Sequence, residues 1–196
     1  MQQRSFGDGP PVSLFTLGTM RALQAPDQML MVLRAAHAAG VNHLETAPAY
    51  GPAESFLGEA LTQLHSEGIQ PAGHGWVVTS KLLPGLSLDE GRAALRGSLE
   101  RLGIERLDNL AIHGLNLDSH LNWALHGEGA RLIDWALNSG TVSQVGFSSH
   151  GSNALIHQAI ESQRFRFCCL HLHLLDPTRM PLAQLCLLYT SPSPRD

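Results

Sequence analysis

The segment from Gly40 to Gly51 reads GVNHLETAPAYG and joins a predicted helix to a predicted strand and a polar loop. Gly40 follows apolar residues at helical spacing, a position typical of a helix C-terminus. The next residues, Val41–Leu44, form a short apolar run typical of a strand. Glu45 closes this run, and Tyr50 follows in the loop. A carboxylate at the end of a buried strand needs a partner, so Glu45 marks this strand end as a candidate site.

The same order of elements continues in both directions along the chain. Apolar runs predict strands at Leu14–Gly18, Val41–Leu44, Trp76–Thr79, Leu107–Ile112, Val142–Phe147 and Phe167–Leu172. Helical spacing predicts helices at Asp27–Ala39, Ala53–Leu64, Leu88–Leu102, Gly129–Asn138 and Asn153–Ser162. Alternation of strands and helices favours a parallel sheet covered by helices.

The regular alternation predicts an α/β fold of the TIM type, a (β/α)8 barrel. Eight such units need about 250 residues, whereas this chain has 196 residues and provides about six units. A doubly wound open sheet is the alternative. The first predicted strand, however, lacks the G-x-G-x-x-G turn that a dinucleotide-binding sheet of that kind would carry. We therefore expect an incomplete barrel.

Composition and charge narrow the classes of function. Hydrophobic residues make up 43% of the chain and charged residues 15%, as in ordinary globular proteins. The formal net charge of -4 and the scattered basic residues predict neither a nucleic-acid partner nor a membrane partner. No apolar run is long enough to span a bilayer. A polar N-terminus and three cysteines without a regular framework predict a reducing, cytoplasmic setting.

Four polar residues lie at or near the carboxyl ends of successive predicted strands: Glu45, Tyr50, Lys81 and His113. In a barrel these strand ends share one rim, where enzymes of this fold hold their active sites. Reduction of a carbonyl by hydride transfer leaves an alkoxide that needs a proton, and a Tyr hydroxyl can donate it. An adjacent ammonium would lower the phenol pKa from about 10. A carboxylate would hold that ammonium in place, and an imidazole would orient the carbonyl.

Each of these residues has a simpler interpretation when it is considered alone. Tyr50 could be an amphipathic surface residue, Lys81 a solvated charge, and His113 a satisfied core histidine. Their occurrence on successive strand ends is what favours a catalytic site. His171 and His173 form a pair at strand spacing that could ligate zinc. No carboxylate-rich cluster accompanies this pair, so we predict no metal site.

Four segments resemble motifs of the aldo-keto reductase family. The segment 40–51, followed by Glu54 and Gly58, resembles the family signature, in which an acid and a catalytic Tyr stand five residues apart. Three further segments resemble the strands that carry the catalytic Lys, the catalytic His and a contact with the nicotinamide amide: Val77–Lys81, Ala111–Gly114 and Val145–His150. The resemblance extends from about Arg4 to about Leu174 with matched spacing.

The resemblance implies an oxidoreductase that transfers a hydride between NADPH and the carbonyl of an aldehyde or ketone. It assigns catalytic roles to four residues: the general acid Tyr50, the tuning Lys81, its anchor Glu45 and the carbonyl-orienting His113. It assigns contacts with NADP(H) to five residues near the ends of two strands: Ser148, Ser149, Gly18, Thr19 and Met20. The implied partner is a small-molecule carbonyl compound, and the oligomeric state is left open.

Within the family, the chain resembles the branch that often carries a C-terminal iron–sulfur region similar to ferredoxin. The motifs that carry this narrower resemblance are Asn42–Ala47, Ile112–Asn116 and Gly146–Gly151. This branch tends to have Glu where most relatives have Asp, as at Glu45, whereas Ser149 stands where many relatives have Asn. The sequence has no cysteine cluster for an iron–sulfur centre, so none is predicted for it.

The resemblance ends between Leu174 and Leu185. We therefore expect a truncated barrel over residues 1–185 and a disordered, non-native tail over residues 186–196, which are rich in Ser and Pro. Open strand edges leave backbone groups unpaired, so impaired stability or activity of this fragment is expected. Two alternatives stay open: a non-catalytic barrel that acts as a binding or regulatory module, and a metal-dependent hydrolase on a similar barrel.

Overall fold

A computed structural model of the chain describes residues 1–22, 24–172 and 177–190. Its strands are β1 (Gln3–Arg4), β2 (Val12–Ser13), β3 (Thr16–Gly18), β4 (His43–Glu45), β5 (Val77–Leu82), β6 (Leu107–Ile112), β7 (Val142–Ser149) and β8 (Cys168–Leu170). Its α-helices are α1 (Pro26–Ala38), α2 (Ala53–Ser66), α3 (Leu88–Leu102), α4 (Asp118–His126), α5 (Glu128–Asn138), α6 (Asn153–Glu161) and α7 (Met180–Thr190). Short 3-10 helices span Pro48–Tyr50 and Pro177–Arg179.

Strands β3 to β8 form one parallel sheet in which the spatial order is also the order along the chain. Every connection between neighbouring strands contains at least one helix, as parallel pairing requires. The sheet curls into a half-barrel with the helices on its outer side. This architecture confirms the predicted α/β fold and the predicted incomplete TIM-type barrel, with six parallel strands in the described part of the chain.

The strand boundaries follow the predicted ones closely, with one difference that matters for function. Strand β6 coincides with its predicted range, but β5 extends to Leu82, beyond the predicted end at Thr79. Lys81 therefore lies within β5 rather than after it. Backbone pairing with β6 causes the extension, because Lys81 is in register with Ala111 and Leu82 with Ile112.

Helix α3 shows how the local sequence sets an element. Ser87 is the N-cap residue: its hydroxyl accepts from the backbone N–H of Glu90, while the Glu90 carboxylate accepts from the backbone N–H of Ser87. This capping box satisfies two donors that the helix start leaves free. Gly103 ends the helix with φ of 66°, a left-handed conformation that glycine adopts without strain.

No helix was predicted between Asn116 and Gly127, yet most of that range is helix α4. The helix is short, and its apolar residues do not form a clear helical stripe in the sequence. Tertiary packing stabilises it: Leu121 and Ala124 are buried, and the indole N–H of Trp123 donates to the carbonyl of Leu86 at 2.8 Å. The antiparallel hairpin of β1 and β2 was also not predicted.

Helix α7 continues to Thr190 and so crosses the boundary that the sequence placed after residue 185. Leucines favour a helix as far as Leu188, and the prolines that indicated a tail follow only at positions 192 and 194. Residues 191–196 lie outside the described residues, and so does His173 of the proposed histidine pair. No described helix is both long enough and apolar enough to cross a membrane.

The main hydrophobic core lies between the helices and the outer face of the sheet. The covering helices contribute large apolar side chains that are at most 3% exposed: Leu33, Leu57, Leu95, Leu132 and Ile156. Burial of each side chain of this size contributes about 2 kcal/mol. The opposite face of the sheet points into the curl and carries most of the buried polar residues of the sheet itself, which places the candidate site there.

Candidate active site

Tyr50 is placed by a tight turn after β4. The 3-10 helix Pro48–Tyr50 begins with proline, which suits a first helical position because its missing N–H would have no partner there. Gly51 follows with φ of 60° and ψ of -125°, a conformation that residues with a side chain rarely adopt. Helix α2 then begins at Ala53. The turn brings the phenol to the carboxyl ends of β4 and β5.

Lys81 is the centre of the polar cluster at these strand ends. Its ammonium donates to the Tyr50 hydroxyl at 2.8 Å and to the Thr46 carbonyl at 3.3 Å, and it contacts the Glu45 carboxylate as an ion pair. The Tyr50 hydroxyl also reaches Glu45 Oε1 at 3.4 Å. The Lys81 side chain is only 3% exposed, whereas that of Glu45 is 27% exposed. The structure therefore places an acid, an ammonium and a phenol in direct contact.

His113 completes the predicted cluster. It follows β6 directly, and its backbone N–H donates to the carbonyl of Leu82 at 2.7 Å. Its ring stands edge-on to the Tyr50 ring with 5.7 Å between centroids. Together with Glu45 and Lys81, these two rings line a cleft of about 730 Å³ at the carboxyl ends of the strands. All four predicted catalytic residues are thus brought together.

The acid–base character of Tyr50 differs from the expectation. Burial raises the pKa of Tyr50 above its ordinary value, and the Cys169 thiol group acts in the same direction. We predicted a lowered pKa because of Lys81, but loss of hydration disfavours the phenolate more than the ammonium favours it. The phenol therefore holds its proton at neutral pH, which is the form that a general acid needs.

Burial also sets the charge states of the two neighbouring bases. It lowers the pKa of Lys81 to about 8, against the opposing effect of Cys169 and despite the contact with Glu45. Burial, followed by the positive charge of Lys81, lowers the pKa of His113. Near neutral pH, Lys81 is mostly an ammonium and His113 is a neutral imidazole with one N–H donor.

The two serines predicted to hold the nicotinamide amide have different surroundings. Ser148 lines the cleft, and its oxygen accepts from the backbone N–H of Gly114 at 3.0 Å, so its own proton remains available. The Ser149 hydroxyl instead donates to the Leu115 carbonyl at 2.5 Å and accepts from the Gly151 N–H at 3.0 Å. These contacts leave Ser148 as the candidate ligand donor, while Ser149 holds two loops together.

Gly18, the last residue of β3, pairs with Glu45, and Thr19 and Met20 follow it along the chain. The Thr19 N–H donates to the Glu45 carbonyl at 2.9 Å. Its side-chain hydroxyl is buried and has no hydrogen-bond partner among the described residues. A buried hydroxyl without a partner is unfavourable, so a ligand group that could bond to it would stabilise it. The assignment of these three residues to cofactor binding stays a prediction.

The cleft has further lining residues that the sequence did not assign to the site: Asn116, His120, His150 and Cys169. The Asn116 side-chain oxygen accepts from the His150 N–H at 2.7 Å and so ties the loops after β6 and β7 together. Cys169 was not assigned to the site, yet it faces Lys81 and Tyr50 closely enough to affect both. Strand alternation with His171, which also lines the cleft, is the signal that could have found Cys169.

The described residues contain no group of three or more His, Cys, Asp or Glu side chains that could hold a metal ion. The ring of His171 lies 6.2 Å from that of His150, measured between centroids. The second member of the histidine pair, His173, is outside the described residues. The predicted absence of a metal therefore stays a prediction.

The parallel sheet curls into a half-barrel and carries a cluster of Tyr, Lys, acid and His at the carboxyl ends of its strands. These two features define a class of protein, which comparison with known families identifies. Residues 15–177 match the model of the Aldo/keto reductase family. This match covers most of the chain, and the chain therefore belongs to that family.

Two named relatives are similar in sequence over part of their length. An aldo-keto reductase of Mycolicibacterium vanbaalenii is 30% identical over 125 residues, which is 64% of this chain and 38% of that protein. A 6-dehydroglucose reductase of Novosphingobium aromaticivorans is 31% identical over 141 residues, which is 64% of this chain and 43% of that protein. The matched part of the chain thus spans less than half the length of these relatives.

Solved structures share the fold at lower sequence identity. A putative aldo-keto reductase from Pseudomonas aeruginosa superposes with a TM-score of 0.80 at 21% identity, covering 96% of this chain and 74% of that one. The holo form of an aldo-keto reductase from Bacillus halodurans superposes with a TM-score of 0.80 at 19% identity, covering 97% of this chain and 64% of that one. An aldo-keto reductase from Bombyx mori in complex with NADP superposes with a TM-score of 0.75 at 22% identity, covering 95% of this chain and 63% of that one.

Proposed function

We propose that this chain carries the catalytic residues of an oxidoreductase that transfers a hydride between NADP(H) and the carbonyl of an aldehyde or ketone. One observation carries the proposal: the 2.8 Å contact between the Lys81 ammonium and the Tyr50 hydroxyl in an open cleft. Membership of the Aldo/keto reductase family supports the same class of reaction.

The roles of the side chains follow from their contacts. Tyr50 donates its phenolic proton to the carbonyl oxygen as negative charge develops there. Lys81 stabilises the phenolate that remains on Tyr50, and the Glu45 carboxylate keeps Lys81 in place and charged. The His113 ring lies edge-on to the Tyr50 ring and donates its N–H to the carbonyl oxygen, which orients the substrate.

NADPH supplies the hydride when it is bound, and the residues present fit that cofactor. The Ser148 hydroxyl donates to no described residue, so it has a proton available in the cleft and would accommodate the carboxamide of the nicotinamide. Thr19 has a buried hydroxyl without a partner in the described part of the chain and would accept a second polar contact. The Bombyx mori reductase of the same fold binds NADP, which supports the choice of NADP(H) over other cofactors.

A small-molecule carbonyl compound is the proposed substrate. The Novosphingobium aromaticivorans relative is named a 6-dehydroglucose reductase, so sugar aldehydes belong in the first substrate panel beside simple aldehydes and ketones. A cytoplasmic setting, and the resemblance to the branch with a ferredoxin-like region, stay predictions.

Titration of the purified chain with NADPH, followed by nicotinamide fluorescence, tests the proposal. We expect saturable binding and oxidation of NADPH that depends on an added carbonyl. Tyr50→Phe should keep NADPH binding but lose turnover by a factor on the order of 10² to 10⁴, the usual contribution of a general acid. Tyr189→Phe is the matched control, since it makes the same chemical change at the only other tyrosine and should keep turnover.

Two results would contradict the proposal. The first is a folded chain that binds NADPH but oxidises it with no carbonyl of the panel, which would favour the non-catalytic barrel. The second is turnover that Tyr50→Phe leaves unchanged, which would exclude the assigned acid.

A further inference from the structure

Glu54 is a fully buried carboxylate that lies outside the catalytic cleft. It occupies the first turn of α2 and is 0% exposed. One carboxylate oxygen accepts from the Ser80 hydroxyl at 2.5 Å, and the other accepts from Arg101 Nε at 2.8 Å. A buried carboxylate requires partners of this kind, because an unpaired charge is strongly destabilised away from water.

The two partners of Glu54 belong to different elements. Ser80 lies on β5 directly before Lys81, and Arg101 lies in the last turn of α3. Successive side chains of a strand point to opposite faces, so Ser80 faces the helices while Lys81 faces the barrel interior. The hydrogen bond between Glu54 and Ser80 thus joins the start of α2 to the back of the strand segment that presents Lys81.

Glu54 also lies only four residues after Tyr50. The intervening residues are the turn at Gly51 and the first residues of α2, a rigid element. Gly58, one turn further along α2, packs so closely on α3 that a Cβ there would lie 2.3 Å from the Arg101 carbonyl. The position of α2, and with it the position of the Tyr50 turn, is therefore fixed against both β5 and α3.

We propose that Glu54 and Ser80 are positioning residues, whose hydrogen bond holds the Tyr50 turn against β5 and keeps the Tyr50 hydroxyl in contact with the Lys81 ammonium. Neither side chain lines the cleft. The inference rests on the proposed function for its catalytic meaning. Its structural part, that Glu54 and Ser80 control the contact between Tyr50 and Lys81, can be tested without measuring turnover.

Ser80→Ala is the decisive variant, because it removes the contact with β5 and leaves Glu54 its ion pair with Arg101. Ser98→Ala is the matched control. Ser98 is equally buried, at 1% exposed, and its oxygen accepts from Arg101 Nη2 at 3.3 Å, but it lies on α3. Both variants delete one buried hydroxyl beside the same ion pair, and only Ser80→Ala deletes a contact with the strand that carries Lys81.

The readout is the titration of the Tyr50 phenol by its ultraviolet absorbance. The chain has two tyrosines, so all variants are made with Tyr189→Phe in order that Tyr50 alone titrates. The charged or titratable groups that face the phenol are Lys81, Glu45, His113 and Cys169. Tyr50 titrates at a pH where Lys81 is already a neutral amine, and this amine still donates an N–H to the phenolate, so a loosened contact between them removes stabilisation of the phenolate. Ser80→Ala should therefore raise the Tyr50 pKa by about one unit.

The expected pattern is an upward shift in Ser80→Ala and none in Ser98→Ala, with circular dichroism showing that both fold. An unchanged or lowered pKa of Tyr50 in folded Ser80→Ala would overturn the inference. An equal shift in both variants would overturn it as well, since it would reflect general loosening around Arg101. If Ser80→Ala does not fold, Glu54→Asp is judged by the same criteria, because the shorter side chain withdraws from Ser80 and keeps its charge.

Turnover provides a separate measurement. Where the parent reduces a carbonyl, Ser80→Ala should lower kcat by a factor on the order of 10 to 100 and leave KM unchanged, the effect of a small misplacement. An unchanged kcat would contradict the catalytic part of the inference. A parent without turnover would instead contradict the proposed function, and the titration of Tyr50 would still decide whether Glu54 and Ser80 position it.

Discussion

Two layers of polar side chains lie one above the other inside the curled sheet, on the same strands. The lower layer crosses five strands through Thr16, His43, Thr79, Asn109 and Gln144. The upper layer begins two residues further along two of these strands, with Glu45 on β4 and Lys81 on β5. Because a strand repeats every two residues, both layers face the same interior.

The lower layer is neutral, and its side chains are bonded to one another in a chain. The His43 ring bonds Thr16 at 2.9 Å and Thr79 at 2.8 Å. Asn109 donates to Thr79 at 3.0 Å and accepts from Gln144 at 2.6 Å. Gln144 continues into the loop of the β1–β2 hairpin, where it donates to the Phe6 carbonyl and accepts from a backbone N–H. The hairpin thus covers this end of the interior.

The upper layer is charged and opens into the cleft. Lys81 and Glu45 form an ion pair there, and Tyr50 and His113 complete the cluster while keeping hydrogen-bonding capacity for a ligand. Position inside a barrel therefore does not decide the role of a polar residue. A neutral network with matched donors and acceptors stabilises a fold, whereas a charged, open cluster with perturbed pKa values favours chemistry.

The largest expected difference between the layers is in catalysis. Lys81→Met should reduce kcat for carbonyl reduction by a factor on the order of 10³, because the phenolate of Tyr50 loses its counter-charge. Thr79→Val, two residues earlier on the same strand, alters only the lower layer and should keep kcat within a small factor. Steady-state kinetics of both variants test this. Equal losses of kcat in the two variants would show that the two layers do not have separate roles.

A stability effect should follow from His43 in the lower layer. Burial lowers the pKa of His43 from 6.5 to about 4, against the opposing charge of Asp108. The unfolded chain therefore binds a proton first as the pH falls. The free energy of unfolding is retained above the unfolded pKa and declines by about 3 kcal/mol as the pH approaches the folded value.

Urea unfolding at about pH 7 and about pH 4.5 measures this decline. His43→Gln removes the titrating group and should show a smaller loss of stability over the same range. An identical decline in parent and variant would assign the pH dependence to other groups.

A smaller loss of stability is expected for Asn109→Leu. The change leaves Thr79 without one donor and Gln144 without one acceptor, which should lower the free energy of unfolding by about 2 kcal/mol. The titration of Tyr50 in the upper layer should not change. Asn138→Leu, at an exposed helix end, is the control and should stay within about 0.5 kcal/mol of the parent. A changed pKa of Tyr50 in Asn109→Leu would show that the layers are coupled.

The smallest expected effect is the pH dependence of the proposed reaction. The pKa of Lys81 is lowered to about 8, so the ammonium is present below that pH and is lost above it. The rate of carbonyl reduction, measured as kcat/KM, should therefore decline by about tenfold per pH unit on the alkaline side. A rate that is constant through this range would contradict the requirement for a charged Lys81.

Much of the fold could be predicted because its signals are local. Strand β6 was predicted to the residue, and α3 carries its own start and stop signals in Ser87 and Gly103. Helix α4 could not be predicted, because packing of Trp123 on the chain around Leu86 stabilises it rather than its own periodicity. The extension of β5 was missed for a similar reason, since pairing with β6 sets its end.

The candidate site, like the fold, has some features that could be predicted from the sequence and others that could not. Glu45, Tyr50, Lys81 and His113 could be named because their chemistry and their strand-end positions are visible in the sequence. The pKa of Tyr50 was predicted in the wrong direction, because the degree of burial depends on neighbours distant in sequence. Cys169 was not assigned to the site, because strand alternation shows only that it shares a face with His171 and not that this face lies near Lys81.

Local sequence patterns were enough to predict the alternation of strands and helices, the incomplete barrel and the residue types at one rim, since each depends on short-range spacing. Only the packed structure shows that Glu54 and Ser80 lie behind Lys81, that Ser149 is engaged by a loop, and that the lower polar layer is buried at each of its residues except Thr16. Those facts depend on contacts between residues 26 to 36 positions apart in the sequence, and burial and hydrogen bonding at such contacts are properties of the packed chain.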